Sequence, residues 1–422
     1  MDHVFIKNKN FRYLMLGKLV SLIGSNLQIF ALSLHVLKIT GSATEFSKIL
    51  IISLIPEIIL TPFAGVIVDW LDRKKIIVYS DLLSGIIIAA YVLFFNAGLN
   101  NLISIYILSF IISIISALFQ PAILTVIPSI VDDEDLEDAN SVNSGIMNVG
   151  ELISPFIAGI LMYRFGINFI LYANAVSFIL SAFSEMFIDI PPLERKEEHF
   201  SLNQYKEDFK EGFNFIYKTN GLKMIILLGI GINFILSPIT TIGVTYIYKV
   251  IIGVNDKLYG FAESIAAFSM IIAPIVFSAY KSKSNNPYKM IMGMIYASLT
   301  IFLMGLVVSS VFKGIFTKNQ LYYLFIVLEF LLIFFISISN IALVVIFQKI
   351  VPLEKMGRVS AILNASCMIA APLGQFFIAL LYDYVSATIT TMFMGGVFLL
   401  VVLINKKRVI KTLEDDLEYS KY

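Results

Sequence analysis

The chain of 422 residues carries too little charge for a protein with a fully water-facing surface. Hydrophobic residues make up 58% of the sequence, charged residues make up 14%, and the mean hydropathy is +0.86. Soluble domains carry about 25% charged residues, so the composition excludes a soluble enzyme, a nucleic-acid binder and a disordered protein. The 31 Lys and Arg nearly balance the 30 Asp and Glu, and the net charge therefore indicates no partner.

Twelve apolar stretches are each long enough to cross a bilayer, which requires about 20 mostly apolar residues. We number them spans 1 to 12; in chain order they cover residues 14–37, 47–68, 76–97, 102–127, 140–163, 167–189, 221–248, 259–280, 289–312, 321–347, 359–381 and 386–405. Span 1 is too long for the apolar region of a signal peptide. The predicted fold class is an all-α membrane protein with twelve transmembrane helices.

The one long connection, residues 190–220, is polar and charged, and it divides the twelve spans into two groups of six. We therefore predict an N-terminal six-helix bundle over residues 1–189, a cytoplasmic linker over 190–220, and a C-terminal six-helix bundle with a short tail over 221–422. Connections on the side of the N-terminus hold 22 Lys and Arg, and those on the other side hold seven. Because Lys and Arg favour cytoplasmic loops, both termini are predicted to be cytoplasmic.

The loop between spans 2 and 3 contains a spaced set of glycine, acidic and basic residues. The set consists of Gly65, Asp69, Arg73 and Lys74. It resembles the signature G-x-x-x-D-R/K-x-G-R-K/R of the major facilitator superfamily, with Trp70 and Asp72 at two substituted positions. The resemblance implies two six-helix bundles that move by alternating access, and a cytoplasmic gate at this loop. A basic loop that only obeys the charge rule for cytoplasmic loops is the alternative.

Span 5 carries small residues and a proline at a regular spacing. The positions are Gly150, Ser154, Pro155 and Gly159. They are similar to the exporter-associated motif G-x8-G-x3-G-P-x2-G-G of the same superfamily, and the resemblance implies a hinge in span 5 and transport out of the cell. Small residues also serve ordinary close helix packing in membranes, which is the alternative reading. Residues 120–159 as a whole resemble the macrolide-efflux and siderophore-exporter branch of bacterial drug:proton antiporters.

Polar residues recur at helical spacing in spans 1, 4, 7 and 10, which are the spans that line the central cavity in this superfamily. The candidate cavity residues are Ser25, Gln28, Ser113, Gln120, Asn233, Ser237, Thr240 and Asn340. A stripe of this kind predicts a helix face that borders water. Serine and threonine can instead bond the carbonyls of their own helix, so the amide side chains carry more of the argument.

Three carboxylates fall well inside predicted spans: Glu57 in span 2, Glu151 in span 5 and Glu329 in span 10. A charge at the bilayer centre costs at least about 2.5 kcal/mol, so each is a candidate for binding and releasing protons. A structural hydrogen-bonded pair is the alternative for each, and recognition of a cationic substrate is a further one for Glu57 and Glu329. Lys18 is expected to extend its ammonium toward the cytoplasmic interface.

No phosphate-binding loop of the form G-x-x-x-x-G-K-S/T is present, which excludes energy from ATP bound to such a loop in this chain. The single cysteine, Cys367, and three scattered histidines do not form a metal site. We therefore expect no cofactor, no metal, no nucleic-acid partner and no enzymatic activity. The expected partners are a small-molecule substrate, protons and the lipid bilayer, with the protein acting as a monomer in the bacterial plasma membrane.

The resemblance implies a secondary active transporter that exports hydrophobic or amphipathic small molecules, macrolide-like drugs first, in exchange for protons. Three alternatives stay open from the residues alone. They are export of a dedicated metabolite such as a siderophore or peptide, transport of lysophospholipid or another lipid, and a membrane sensor that transports nothing.

Overall fold

A computed structural model describes residues 4–70, 72–96, 101–190, 202–279 and 286–419. For some helical residues within these ranges, including all of 61–70, only the backbone is described. The chain divides into two compact units: unit 1 comprises residues 1–198 and 255–261, and unit 2 comprises residues 199–254 and 262–422. Throughout the described ranges the regular structure is helical and no strand occurs.

The described residues before 191 form six α-helices and one 3-10 turn. These are α1 Val4–Lys7, α2 Lys9–Thr40, α3 Ala43–Trp70, α4 Arg73–Asn96, α5 Leu102–Ile130, the 3-10 turn Asp133–Asp135 and α6 Leu136–Met186. The side chain of Asn8 caps α2 by accepting a hydrogen bond from Phe11 N, which satisfies a free N–H at the helix start. Helix α2 ends at Gly41, whose positive φ of 66° suits glycine.

Helix α6 contains both predicted spans 5 and 6. Its helical geometry is interrupted at one residue, Gly166, with φ 74° and ψ 179°. Glycine adopts this combination because it has no Cβ, whereas other residues essentially do not. The predicted three-residue connection between the two spans is therefore a kink at a single glycine.

The packing in unit 1 brings α2 and α4 against α6, and α3 against α5. Helices α2 and α6 approach each other closely at Gly24, where an added Cβ would lie 2.2 Å from Asn174 Oδ1 and 2.4 Å from Ser177 Oγ. Small residues permit such approaches between membrane helices. This packing places polar side chains of α2 and α6 in direct contact inside the unit.

The described residues from 202 onward form nine α-helices and two π-helical segments. These are α7 Leu202–Lys218, α8 Asn220–Pro238, the π-segment Ile239–Gly243, α9 Val244–Tyr246, the π-segment Ile247–Ile252, α10 Asp256–Ala279, α11 Asn286–Val307, α12 Ser310–Ile315, α13 Lys318–Ile350, α14 Leu353–Tyr384 and α15 Ala387–Tyr419. In unit 2, α11 packs against α13 and α15, and α8 packs against α14. The predicted linker thus contains a helix, α7, which belongs to unit 2.

Ten helices in the described ranges are long and apolar enough to cross a membrane. Predicted spans 2 and 5 are not among these ten, although α3 covers residues 47–68 and the first part of α6 covers residues 140–163. Many side chains of these two stretches lie outside the description. The chain is therefore an all-helical multi-pass membrane protein, and the number of twelve spans stays a prediction.

Candidate functional site

Unit 1 contains a polar cavity of about 150 Å³. Its polar lining comes from α2 to α5 and comprises Lys18, Ser21, Ser25, Asn26, Gln28, Ser53, Glu57, Ser80, Asp81, Ser84, Ser109, Ser113, Ser116 and Gln120. Phe178 of α6 also borders it. The predicted polar stripes of spans 1 and 4 thus open on one space, which is large enough to hold water.

The α2 side of the cavity contains two of the predicted substrate contacts, Ser25 and Gln28. The hydroxyl of Ser25 donates to Ser21 O of its own helix at 2.8 Å. The side-chain oxygen of Gln28 accepts a hydrogen bond from Asn174 Nδ2 at 2.7 Å. Gln28 is therefore held in place by α6 while it borders the cavity, an arrangement that fixes the orientation of its amide.

The α5 side contains the predicted contacts Ser113 and Gln120. Ser113 donates its hydroxyl hydrogen to Ser53 O of α3. Gln120 Oε1 accepts from Lys18 Nζ at 3.4 Å. These bonds tie α5 to α3 and α2 across the cavity.

Lys18 is fully inside unit 1, and the expectation that it extends to the cytoplasmic interface is wrong. Its side chain is 1% exposed, and Nζ donates to Asn143 Oδ1 at 2.8 Å in addition to Gln120. Two neutral amide oxygens thus take the place of water around the ammonium. A buried ammonium is costly unless its donors are satisfied, and these amides provide that partial compensation.

The three predicted proton-coupling candidates occupy different surroundings. Glu57 is half-buried and lines the cavity. Glu329 is buried in unit 2, where Tyr248 donates its hydroxyl hydrogen to Oε2 at 2.7 Å. The side chain of Glu151 lies outside the described residues. Of the two described candidates, Glu57 thus belongs to unit 1 and Glu329 to unit 2.

Two further buried carboxyls in unit 1 were missed by the sequence analysis. Asp81 of α4 is 2% exposed and lines the cavity, and Glu185 near the end of α6 is 0% exposed. Asp81 lies inside predicted span 3, so its position in an apolar run was enough to predict that it is buried. Glu185 stands at the end of its span in the sequence, and only the packing of α2 and α4 against α6 shows that it is covered.

Two of the four predicted cavity residues of unit 2, Asn233 and Thr240, bond the backbone of their own helix. Asn233 Nδ2 donates to Gly229 O at 2.9 Å, and the Thr240 hydroxyl lies 3.1 Å from Leu236 O and 2.9 Å from the backbone oxygen of Ser237. Asn340 borders a small hollow that is otherwise mostly apolar. Their assignment as substrate contacts stays a prediction.

The gate and hinge motifs are only partly described. Arg73 Nη1 donates to Thr125 O of α5 at 2.9 Å, which joins the start of α4 to α5. Lys74 is half-exposed in the first turn of α4, whereas the surroundings of Gly65 and of the Asp69 side chain lie outside the described residues.

In the span-5 motif, Gly150 approaches α2 closely, since an added Cβ would lie 2.8 Å from Leu22 Cδ2. The buried Ser154 hydroxyl donates to Gly150 O, and Gly159 is buried as well. Pro155 lies in helix α6, but its side chain is outside the described residues. The motif thus packs closely at Gly150, as small residues allow.

An apolar groove of about 420 Å³ lies in unit 2 between α10, α11 and α13. Its aromatic lining consists of Phe277, Tyr288, Tyr296, Phe334 and Phe335. Lys289 stands over the ring of Phe277, with Nζ 4.7 Å from the ring centroid. The two units thus contain different spaces, a polar cavity in unit 1 and an aromatic groove in unit 2.

Residues 14–313 match the sequence profile of the Major Facilitator Superfamily. Macrolide efflux protein A of Streptococcus pyogenes is 23% identical over 394 residues, which cover 92% of this chain and 93% of that protein. A Bacillus subtilis protein named as a candidate bacilysin exporter is 24% identical over 412 residues, which cover 94% of this chain and 95% of that protein. Both likenesses extend over nearly the whole chain.

The fold is also similar to that of solved structures. A bacterial homologue of the iron transporter ferroportin, in an inward-facing state, aligns with a TM-score of 0.71 at 16% identity over 96% of this chain and 98% of that one. At this identity the likeness concerns the fold alone. Since the profile match covers well over half of the sequence and the fold agrees with it, the chain belongs to the Major Facilitator Superfamily of membrane transporters.

Proposed function

We propose that this transporter exports hydrophobic or amphipathic small molecules, macrolide-like compounds first, in exchange for protons by alternating access. The observation that carries the proposal is the likeness to macrolide efflux protein A, which covers 92% of this chain and 93% of that protein. The polar cavity of unit 1, on which side chains of α2, α3, α4 and α5 converge, supports a path for water and protons. A water-sized polar cavity does not stabilise a bundle of transmembrane helices, because polar groups without hydrogen-bond partners inside a membrane protein are costly. Such a space serves to bind solutes or ions.

In this proposal Gln28 and Gln120 orient the substrate, together with Ser25 and Ser113. Both amides already have one hydrogen-bond partner in the protein, and each amide can form additional bonds. Asn233, Ser237, Thr240 and Asn340 would be the contacts provided by unit 2. Glu57, Glu151 and Glu329 are the proposed sites of proton exchange.

The relatives support the direction and the class of substrate. Macrolide efflux protein A is named as an exporter, and the similarity to it spans most of both chains. The span-5 residues Gly150, Ser154, Pro155 and Gly159 would form the hinge of an exporter, and Gly65, Asp69, Arg73 and Lys74 its cytoplasmic gate. Both termini would then be cytoplasmic in the bacterial plasma membrane, as the distribution of Lys and Arg indicates.

The test is transport by everted membrane vesicles that contain the protein. Addition of a macrolide to energised vesicles is expected to release protons from the lumen, and an uncoupler is expected to abolish macrolide accumulation. Glu57→Gln and Glu329→Gln should reduce the proton release, because a neutral amide side chain does not ionise and so cannot carry a proton through the cycle. Asp189→Asn, an exposed carboxylate beyond the end of α6, is the matched control and should leave it unchanged.

Equal macrolide accumulation in cells with and without the protein, whether or not an uncoupler is present, would contradict the proposal. Headgroup-dependent movement of a lipid in the same vesicles would instead indicate a lipid transporter. The absence of any flux would indicate a sensor.

Export of a dedicated metabolite is the second candidate function. It is favoured by the similarity to the Bacillus subtilis protein named as a candidate bacilysin exporter, which covers 94% of this chain. A screen of culture supernatants from cells with and without the protein distinguishes the two. A compound found outside only when the protein is present, without any change in macrolide accumulation, would favour the metabolite.

A further inference from the structure

A buried acidic pair lies in unit 1, where α4 packs against the second half of α6. Asp81 is 2% exposed and Glu185 is 0% exposed. Gly85, one turn after Asp81, packs against Ile179 of α6, where an added Cβ would lie 2.8 Å from Ile179 Cγ1, so Asp81 stands on the face of α4 that meets the last turns of α6. The hydroxyl of Ser181, one turn before Glu185, lies 3.5 Å from Glu185 Oε1 and interacts with Asp81 as well. One serine thus faces two carboxyl groups.

The two carboxyl groups have more acceptor oxygens than there are hydrogen-bond donors around them. The hydroxyl of Ser181 carries one hydrogen and can donate to one carboxyl only. Asp81 Oδ2 and Glu185 Oε2 are both buried without any hydrogen-bond partner, and no ion pair joins either group to a Lys, Arg or His in the described part of the chain. Two ionised carboxylates held together in a low-dielectric interior repel each other strongly. A proton bound between them would remove this repulsion and supply the missing donor.

The pair is also accessible from the cavity through one of its members. Asp81 belongs to the lining of the polar cavity, whereas Glu185 is not among its lining residues. The charged groups that face this space from the neighbouring helices are Lys18 of α2 and Glu57 of α3, and α5 contributes only serines and a glutamine to its polar lining. Lys18 is the only cation that lines the cavity in the described residues, so it is the group that would attract Asp81 once the proton leaves.

We propose that Asp81 and Glu185 form a proton-binding site in which the two carboxyls share one proton, and that this proton is exchanged with the cavity at Asp81. In the binding step a hydronium ion breaks one O–H bond and leaves water, its proton forms an O–H bond at Asp81 Oδ2 or Glu185 Oε2, and the pair changes from two negative charges to one. The inference rests on the proposed function, for which it names a proton site separate from Glu57, Glu151 and Glu329.

The experiment is an infrared pH titration of the purified full-length protein in liposomes, without any substrate. The carbonyl stretch of protonated carboxyl groups is recorded as the pH is varied, and deuterium exchange identifies the band. In the wild-type protein we expect a band that belongs to the pair. Asp81→Asn and Glu185→Gln should each move the midpoint of the remaining carboxyl by about one pH unit or more, because interacting sites titrate as a pair. The double variant should lose the band.

Ser181→Ala provides a variant that keeps both carboxyls. Removal of the hydroxyl should shift the titration of the pair, whereas Ser298→Ala should not, since Ser298 is a buried serine of unit 2 that bonds Ile295 O of its own helix. Asp189→Asn is the carboxylate control and should also leave the titration unchanged. All variants are compared as monodisperse, folded protein.

The inference would be overturned if the double variant kept the wild-type band, or if the two single variants each removed a separate band without moving the midpoint of the other carboxyl. These outcomes do not depend on transport. Failure of macrolide export with an intact pair titration would therefore contradict the proposed function alone, and export without the pair titration would contradict this site alone.

Discussion

The two units place their buried ionisable groups in different environments. In unit 1, Lys18 and Asp81 line a cavity of about 150 Å³ together with serines and amides. In unit 2, Glu329 is bonded by Tyr248, whose ring packs edge-on against Phe325 with centroids 4.9 Å apart. A buried carboxyl that borders a polar space can exchange protons with it, whereas the carboxyl of Glu329 is occupied by the hydroxyl of a buried tyrosine. The position of a carboxyl inside a span therefore does not by itself indicate its role.

The largest predicted effect is the loss of stability when a glycine at a close helix–helix contact is replaced by alanine. An alanine Cβ at Gly374 would lie 2.1 Å from Phe234 O, a backbone atom that cannot rotate away, whereas at Gly24 it would meet the side chains of Asn174 and Ser177. We expect Gly374→Ala to lower the free energy of unfolding by about 3 kcal/mol and Gly24→Ala by less, since overpacking typically costs about 1–3 kcal/mol. Unfolding by denaturant in mixed micelles measures both.

The matched control for these variants is Gly231→Ala in α8, where an added Cβ meets nothing within 4 Å. It should be neutral or raise stability by roughly 0.5–1 kcal/mol, because alanine favours the helix over glycine. If Gly24→Ala lowered the free energy of unfolding more than Gly374→Ala, the polar side chains around Gly24 in unit 1 would be less able to move aside than the contacts around Gly374 in unit 2.

A smaller effect is expected at the amide that holds the buried ammonium of unit 1. Asn143→Leu removes the 2.8 Å partner of Lys18 Nζ and leaves it only the 3.4 Å contact with Gln120. Hydrogen bonds to charged groups contribute about 1.5–3 kcal/mol, so we expect the free energy of unfolding to fall by about 2 kcal/mol. Asn140→Leu, at an exposed asparagine of the same helix that bonds Leu136 O, should change it little. Equal effects would mean that the ammonium does not depend on Asn143.

The smallest effect is expected in the aromatic cluster of unit 2. Tyr248→Phe keeps the ring and removes the hydroxyl that donates to Glu329, a loss of about 1 kcal/mol for one buried hydrogen bond. Tyr296→Phe, at a tyrosine of unit 2 that is 44% exposed, is the control and should be close to neutral. An unchanged unfolding free energy for Tyr248→Phe would indicate that the hydroxyl is replaced by another donor, and the contrast with unit 1 would then weaken.

Much of the helical architecture follows from composition and spacing, because a lipid environment requires long apolar helices. The polar stripes of spans 1 and 4 also follow from the helical period, and their residues meet at one cavity. Span 7 is different, since it contains one π-helical segment, Ile239–Gly243, and a second one, Ile247–Ile252, begins at its end. Each i→i+5 segment shifts the following side chains around the axis, so a stripe extrapolated with a period of 3.6 loses its register beyond Pro238.

The buried charges could be predicted only in part. Asp81 stands in an apolar run and could have been selected by the same rule that selected Glu57. Glu185 and Lys18 stand near the ends of spans, where the sequence permits contact with water. Only tertiary packing decides such cases. Here α2 and α4 pack over Glu185 on α6, and the amides of Asn143 and Gln120 surround the ammonium of Lys18.

The kink at Gly166 has a mechanical consequence for the two spans that it joins. A single residue reaches at most about 3.6 Å along the chain, so the ends of the two spans that meet there cannot separate. The segment that contains Ser154 and Gly159 therefore stays joined at Gly166 to the segment that contains Asn174 and Glu185. The two segments can change the angle between them at this glycine, but they cannot slide apart along the helix axis.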